Sequence, residues 1–100
     1  MRAEPLRLVF RPAALSDLTA IWRFGAGRWG VAQADRYAGS VDRLCRLLCT
    51  DPLLGRAEPE LGEGLRLAVH APHLVLYRVA GGRLEVVRIL HERLDRRRGI

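Results

Sequence analysis

One hundred residues, 49% hydrophobic and 28% charged, suit one compact domain and exclude two. No apolar run approaches the roughly 20 residues that cross a bilayer, and the opening MRAEPLRLVF lacks the apolar core of a secretory signal, so a soluble, untargeted, cytoplasmic protein is expected. The formal charge is +6 and all 17 basic residues are arginine, a tilt away from lysine that reflects GC-rich coding more than arginine's bidentate chemistry.

Leu6, Leu8 and Phe10 alternate with Arg7 and Val9, which predicts a half-buried strand ended by Pro12. Proline is tolerated in a first helical turn, and from there Leu15, Leu18, Ile21 and Trp22 recur at three- and four-residue steps, with Asp17 near the amino end. Gly25, Gly27 and Gly30, with Arg28 and Trp29 between them, predict the end of this first helix, since helices avoid such glycine density. Trp22 is expected in the core, while Trp29 either caps the turn or is presented to a partner.

A second helix is predicted from the stripe Ala34, Tyr37, Val41, Leu44, Leu48, and Thr50-Asp51-Pro52 stops it. Two amphipathic helices joined by a short turn bury their stripes only as an antiparallel αα-hairpin. Cys45 and Cys49, four apart on the second helix, suit neither a disulfide nor a four-ligand zinc site and are expected as buried thiols. His70, His73 and His91 have no cysteine or carboxylate at ligand-like spacing, so no metal and no cofactor is expected.

Residues 53–64 lack a period and predict an irregular connector. Leu65 to His70, His73 to Val79 and Arg83 to Leu90 predict three strands, the last two joined by a tight Gly81-Gly82 turn. With those glycines as the loop, Ala80 pairs with Arg83, Val79 with Leu84, Arg78 with Glu85, Tyr77 with Val86 and Leu76 with Val87. One hairpin face then carries Val75, Tyr77, Val79, Leu84, Val86 and Leu90. The other carries Leu74, Leu76, Val87 and Ile89 beside Arg78, Arg83 and Glu85. Two helices cover only one face, so the second face needs cover from a partner, or from the chain's own tail or connector. Residues 1–64 carry a net charge of +1 and residues 65–100 of +5, so the sheet half is the basic half. Such a surface attracts nucleic acid, a ribosome or an acidic protein segment.

The blocks LRLVFRPAALSDLTAIWRF, RWGVAQADRYAGSVDRLCRLL with its DPLLGR stop, GLR, HLVLYRV and VVRILHERLD, in that order, resemble ParE-type toxins of the RelE/ParE superfamily over nearly the whole chain. The resemblance implies a single domain over residues 1–100 of the α+β class: a strand, an αα-hairpin and a three-stranded antiparallel sheet. It also implies the toxin of a bacterial type II toxin–antitoxin pair, neutralised by a cognate ParD-like antitoxin in a hetero-oligomer. For ParE members the implied target is DNA gyrase, with neither membrane association nor direct sequence-specific nucleic-acid binding. For the RelE branch it is mRNA on the ribosome.

Cutting RNA needs a group that takes the 2′-hydroxyl proton and cations that hold the phosphate. His91 with Arg66, Arg78 and Arg88 are the candidates for that alternative, but no lysine is present and no tyrosine follows His91, so a non-enzymatic binding toxin is preferred. A third reading is a toxin fold that has lost activity and survives as a regulatory partner. Leu74, Leu76, Arg78, Arg83, Val87 and Ile89 are expected to contact the antitoxin, and Arg88, His91, Arg93 and Arg96 the target. Arg11 departs from the family pattern of Ser or Thr before the first helix, and because a guanidinium cannot accept amide hydrogen bonds, a frayed helix start is expected.

Overall fold

The computed structural model describes residues 4–93. Its elements are β1 (Arg7–Phe10), α1 (Pro12–Trp29), α2 (Val31–Thr50), β2 (Arg56–Ala57), a single 3-10 turn (Pro59–Leu61), β3 (Arg66–His70), β4 (His73–Ala80) and β5 (Arg83–His91). The strands form one sheet in the order β1-β5-β4-β3-β2. β1 runs parallel to β5, and the other pairs are antiparallel. Between β1 and its parallel neighbour β5 the chain runs through the αα-hairpin, which lies on one face of the sheet, and then through β2, β3 and β4. No helix among the described residues is long and apolar enough to cross a membrane.

The helix-side core joins Ala14 of α1 and Val41, Cys45, Leu48 and Cys49 of α2 to Val75, Tyr77, Leu84 and Val86 of the sheet. Both cysteines are free and buried, and burial, followed by the charges of Asp42 and Cys49, pushes the Cys45 thiol up to about 12. Tyr77 is fully buried, and its hydroxyl donates to the Pro52 carbonyl at 2.7 Å and accepts the Gly55 N–H at 2.9 Å. This one oxygen fixes the chain as it leaves α2. A Cβ on Gly55 would lie 2.6 Å from that hydroxyl and 2.7 Å from the Leu67 carbonyl, so only glycine fits.

Several sequence expectations need correction. α1 does not end at Gly25; it continues through Gly27 to Trp29, and only Gly30, at φ +94°, breaks the path. Gly25 faces α2, where a Cβ would sit 3.6 Å from the Ala34 Cβ, so helix contact outweighs a helix-propensity cost of about 1 kcal/mol per glycine. Trp22 is not in the core: it is half-buried, and its Nε1 donates to Asp35 Oδ1 at 2.7 Å, tying α1 to α2. The start of α1 has no side-chain cap, yet Arg11 is held by its backbone: its N–H donates to the Val86 carbonyl at 3.0 Å and its carbonyl accepts the Leu15 N–H at 3.0 Å.

The β4–β5 register holds from Ala80↔Arg83 to Tyr77↔Val86, and then slips. Leu76 partners Arg88 instead of Val87, and Val75 partners Ile89. One extra residue at this bulge inverts which side chains face the helices. Ile89, expected on the outer face, is therefore buried in the helix-side core, while Leu90 is only half-buried. Val79, expected on the core face, is largely exposed near the turn.

The outer face is covered largely by the chain itself. Leu67, Leu74 and Leu76 are buried there beneath Leu61 and Leu65, with Val87 beside them. The connector that lacked a period supplies this cover: its β2 segment pairs with β3 and brings the 3-10 turn over the sheet. Leu74 and Leu76, expected as an exposed antitoxin surface, are internal packing with 6% and 8% of their area exposed.

Candidate functional site

Basic side chains of the outer face are held by a small number of carboxylates. Glu85, facing outward from β5, accepts Arg83 at 2.8 Å, Arg78 at 3.1 Å and Arg11 at 3.2 Å. Hydrogen bonds from Arg83 and Arg78, then Arg11, pull its carboxyl down to about 2 against the opposing effect of burial. Beyond the end of β1, Asp17 of α1 takes the place of a strand partner for β5. Its Oδ2 accepts the Ile89 N–H at 2.9 Å, and the two oxygens accept the Arg88 guanidinium as a fork at 2.7 and 2.9 Å. Arg66 points the other way, donating to the carbonyls of Gly55 at 2.8 Å and Leu53 at 3.2 Å.

The four residues nominated for RNA cleavage are thus not presented as one open constellation. Arg66 braces the connector, Arg78 is bound to Glu85, Arg88 is bound to Asp17, and His91 lies against His73 with ring centroids 5.4 Å apart. Of the residues expected to face a target, Arg88 and His91 share the end of β5, Arg93 follows directly, and Arg96 lies outside the described residues.

A different feature stands out on the helix side. A groove of about 630 Å³ opens between the two helices and the β3–β4 end of the sheet, lined chiefly by Ile21, Trp22, Phe24, Trp29, Tyr37 and His73, with His91 and Pro72 at its sheet end. Volumes of this order are usual for binding clefts. Phe24 and Trp29 are 61% and 56% exposed, pack edge to face at 5.9 Å, and carry the Arg28 guanidinium 5.5 Å from each ring centre. Large aromatics and arginine in the open are the composition of binding hot spots. Among the described residues no acidic side chain lines the groove. At its floor Tyr37 Oη lies 2.6 Å from His73 Nδ1, and Ser40 Oγ lies 2.8 Å from His70 Nε2. Burial, reinforced by His91 and His70, holds His73 below the ordinary imidazole range, and burial raises Tyr37. Sequence reading noted Trp22, Trp29, Tyr37, His73 and His91 one by one but did not assemble them, and it missed Phe24, which falls off the apolar stripe of α1.

An αα-hairpin laid on a mixed five-stranded sheet is a fold found in other solved proteins. Two solved structures share it. The "Chromosomal ParDE TA system from P. aeruginosa" superimposes at a TM-score of 0.75 with 22% identity, covering 86% of this chain and 95% of that one. The toxin–antitoxin complex RelBE2 from Mycobacterium tuberculosis does so at 0.68 with 21% identity, covering 90% and 94%. Sequence likeness then separates the branches. The family described as "ParE toxin of type II toxin-antitoxin system, parDE" matches residues 8–96. "Toxin ParE1" of Mycobacterium tuberculosis is 38% identical over 90 residues, covering 89% of this chain and 92% of the relative. "Toxin ParE1" of Caulobacter vibrioides is 36% identical over 94 residues, covering 94% and 95%. The chain belongs to the ParE toxin family, within the RelE/ParE superfamily, as the motifs implied.

Proposed function

We propose that this protein is a toxin that arrests growth by binding DNA gyrase, and that a cognate ParD-like antitoxin neutralises it by occupying the aromatic groove. Membership of the ParE family supports the target, and the pairing of the arginines supports binding over catalysis. A ribonuclease of this size needs an acid–base group and cations free to hold a phosphate on one concave surface, whereas Arg78 and Arg88 are each bound to a carboxylate and Arg66 turns to backbone carbonyls.

The antitoxin's contacts are assigned to Phe24, Trp29, Tyr37 and the rim arginine Arg28, continuing onto Arg78, Arg83 and Val87. Leu74, Leu76 and Ile89 serve the fold's own cores. Because the groove is lined by apolar and aromatic side chains, with the Arg28 guanidinium stacked beside Phe24 and Trp29, its complement is a segment with apolar side chains and a carboxylate placed to meet Arg28. His91 lines the groove and also lies three residues from Arg88, so a partner seated there hides part of the target-facing end.

The deciding experiment incubates the purified toxin with gyrase and supercoiled plasmid, and in parallel with translating ribosomes. Accumulation of cleaved DNA that the antitoxin abolishes is the expected result. Intact DNA together with cut transcripts would replace this reading by the ribosome-dependent interferase built on His91.

A further inference from the structure

The sheet end of the groove is closed by a connected set of hydrogen-bonding side chains. Ser40 Oγ spends its only proton on the Tyr37 carbonyl at 2.6 Å, so His70 Nε2, 2.8 Å away, is the donor to it. Tyr37 Oη lies 2.6 Å from His73 Nδ1 and 3.3 Å from the His70 carbonyl, so its one proton goes to one of the two and sets the tautomer of His73. His91 Nδ1 accepts the Arg93 N–H at 3.1 Å, which leaves the proton of the neutral ring on Nε2. His73 and His91 are direct partners across β4 and β5, with rings edge to face at 5.4 Å.

The ionisable groups around this pair come from each neighbouring element. α2 offers Tyr37, β3 offers His70, and the end of β5 offers His91 itself and then Glu92, which alone favours a proton on His73. α1 contributes only apolar and aromatic lining, including Ile21, Trp22 and Phe24.

We infer that His73 and His91 form a proton-sensitive latch on the groove, which admits apolar side chains of the antitoxin while both rings are neutral and expels them when the rings are charged. This inference rests on the antitoxin being the groove's occupant. A partner lying on the groove strips water from the two rings, and removing a charged imidazole from water is costly where a neutral one is tolerated. Charging both also sets two cations side by side across the strands. A protonated His91 has no Nδ1 lone pair left for the Arg93 N–H, so that one hydrogen bond is lost at the same moment. Binding of the partner therefore competes with binding of protons, and affinity falls on acidification.

The test measures the dissociation constant of the purified toxin with the antitoxin encoded beside it, at pH 7.5 and pH 5.5, by calorimetry at constant ionic strength. The comparison is a His73→Asn/His91→Asn double variant, chosen because the asparagine side chain can stand in for Nδ1 toward Tyr37 and toward the Arg93 N–H. Wild type is expected to bind about tenfold more weakly at the lower pH, which is the effect of one net proton excluded from the complex over one of the two pH units. The double variant should lose most of the pH dependence, whatever its affinity at pH 7.5. Equal wild-type affinity at the two pH values, or undiminished pH dependence in the double variant, overturns the latch. Absence of binding at either pH overturns the antitoxin's place in the groove, and the latch with it. As a second readout, Trp22 and Trp29 line the same groove, and their fluorescence in the free toxin should titrate in this range for wild type and not for the double variant.

Discussion

Replacing Tyr77 by phenylalanine removes one oxygen from a side chain with no exposed surface and leaves the ring in place. Two partners lose their bond: the Gly55 N–H, which is buried, and the Pro52 carbonyl, which is half-buried and recovers part of its loss from water. An orphaned buried group costs about 1–3 kcal/mol, so the pair together should cost about 2–3 kcal/mol. That is a substantial share of the roughly 5–15 kcal/mol by which domains are stable, and should lower the melting temperature of a domain this size by about 10–20 °C. Urea unfolding followed by tryptophan fluorescence reads the change as a lower midpoint at unchanged slope. Gly55→Ala tests the same joint from the other side, since its Cβ would press on the Tyr77 hydroxyl at 2.6 Å and on the Leu67 carbonyl at 2.7 Å. The hydroxyl is only one of the two obstacles, so Tyr77→Phe should relieve part of the Gly55→Ala loss and the two costs should fail to add. A Tyr77→Phe variant within about 0.5 kcal/mol of wild type, or strictly additive losses, would show that the connector is not anchored through this oxygen.

Glu85→Gln should destabilise the protein at neutral pH, because three guanidiniums lose their common anion. The folded carboxyl titrates at about 2, below its unfolded range near about 4.3, so its contribution is present above the unfolded value and is lost as pH falls through about 2. Wild type and variant should therefore converge in acid, and a constant gap from pH 7 to 2 would refute the pairing. Asp17→Asn leaves a single acceptor oxygen for the Arg88 fork and the Ile89 N–H and should cost about 1–3 kcal/mol in urea unfolding; Arg88→Lys, which cannot fork, should lose less. Trp29→Ala should weaken antitoxin binding at least roughly tenfold while changing stability by less than about 1 kcal/mol, since the indole is 56% exposed in the free protein. Unchanged affinity in a titration would move the antitoxin off the groove.

The element order was legible because alternation and breakers are local signals. Gly81 and Gly82 both adopt positive φ, at +56° and +76°, as the tight turn between two alternating runs requires. Three features were not legible, each for a physical reason. Helix propensity at Gly25 argued for a stop, but packing against Ala34 of α2 decided the matter, and no local rule contains that contact. The bulge at Val87 left no trace because Val86, Val87, Ile89 and Leu90 give an apolar pattern in either register, so Ile89 and Leu90 exchange faces unseen. Leu61 and Leu65 read as stray apolar residues in a loop until the pairing of β2 with β3 brings them over Leu74 and Leu76. The groove escaped for a related reason: its lining comes from both helices and two strand ends, so that no single window of sequence contains it.

The self-covered outer face shifts the argument about a partner from oil to charge. With Leu67, Leu74 and Leu76 already buried, that face offers an incoming chain mainly its arginines, and two carboxylates, Glu85 and Asp17, hold four of them. The arrangement leaves net positive charge in place while removing much of the rotameric freedom that arginine would otherwise lose on binding. Acidic groups of a partner would thus meet cations already ordered, at a smaller entropic cost than free side chains impose. The apolar part of the interface has to lie elsewhere, and the helix-side groove supplies it with exposed Phe24 and Trp29. The end of β5 belongs to both surfaces, since His91 lines the groove and Arg88, three residues before it, is fixed by Asp17. A chain that follows the groove to His91 and turns onto Arg88 gains both kinds of contact, which a rigid globular partner resting on either surface alone would not.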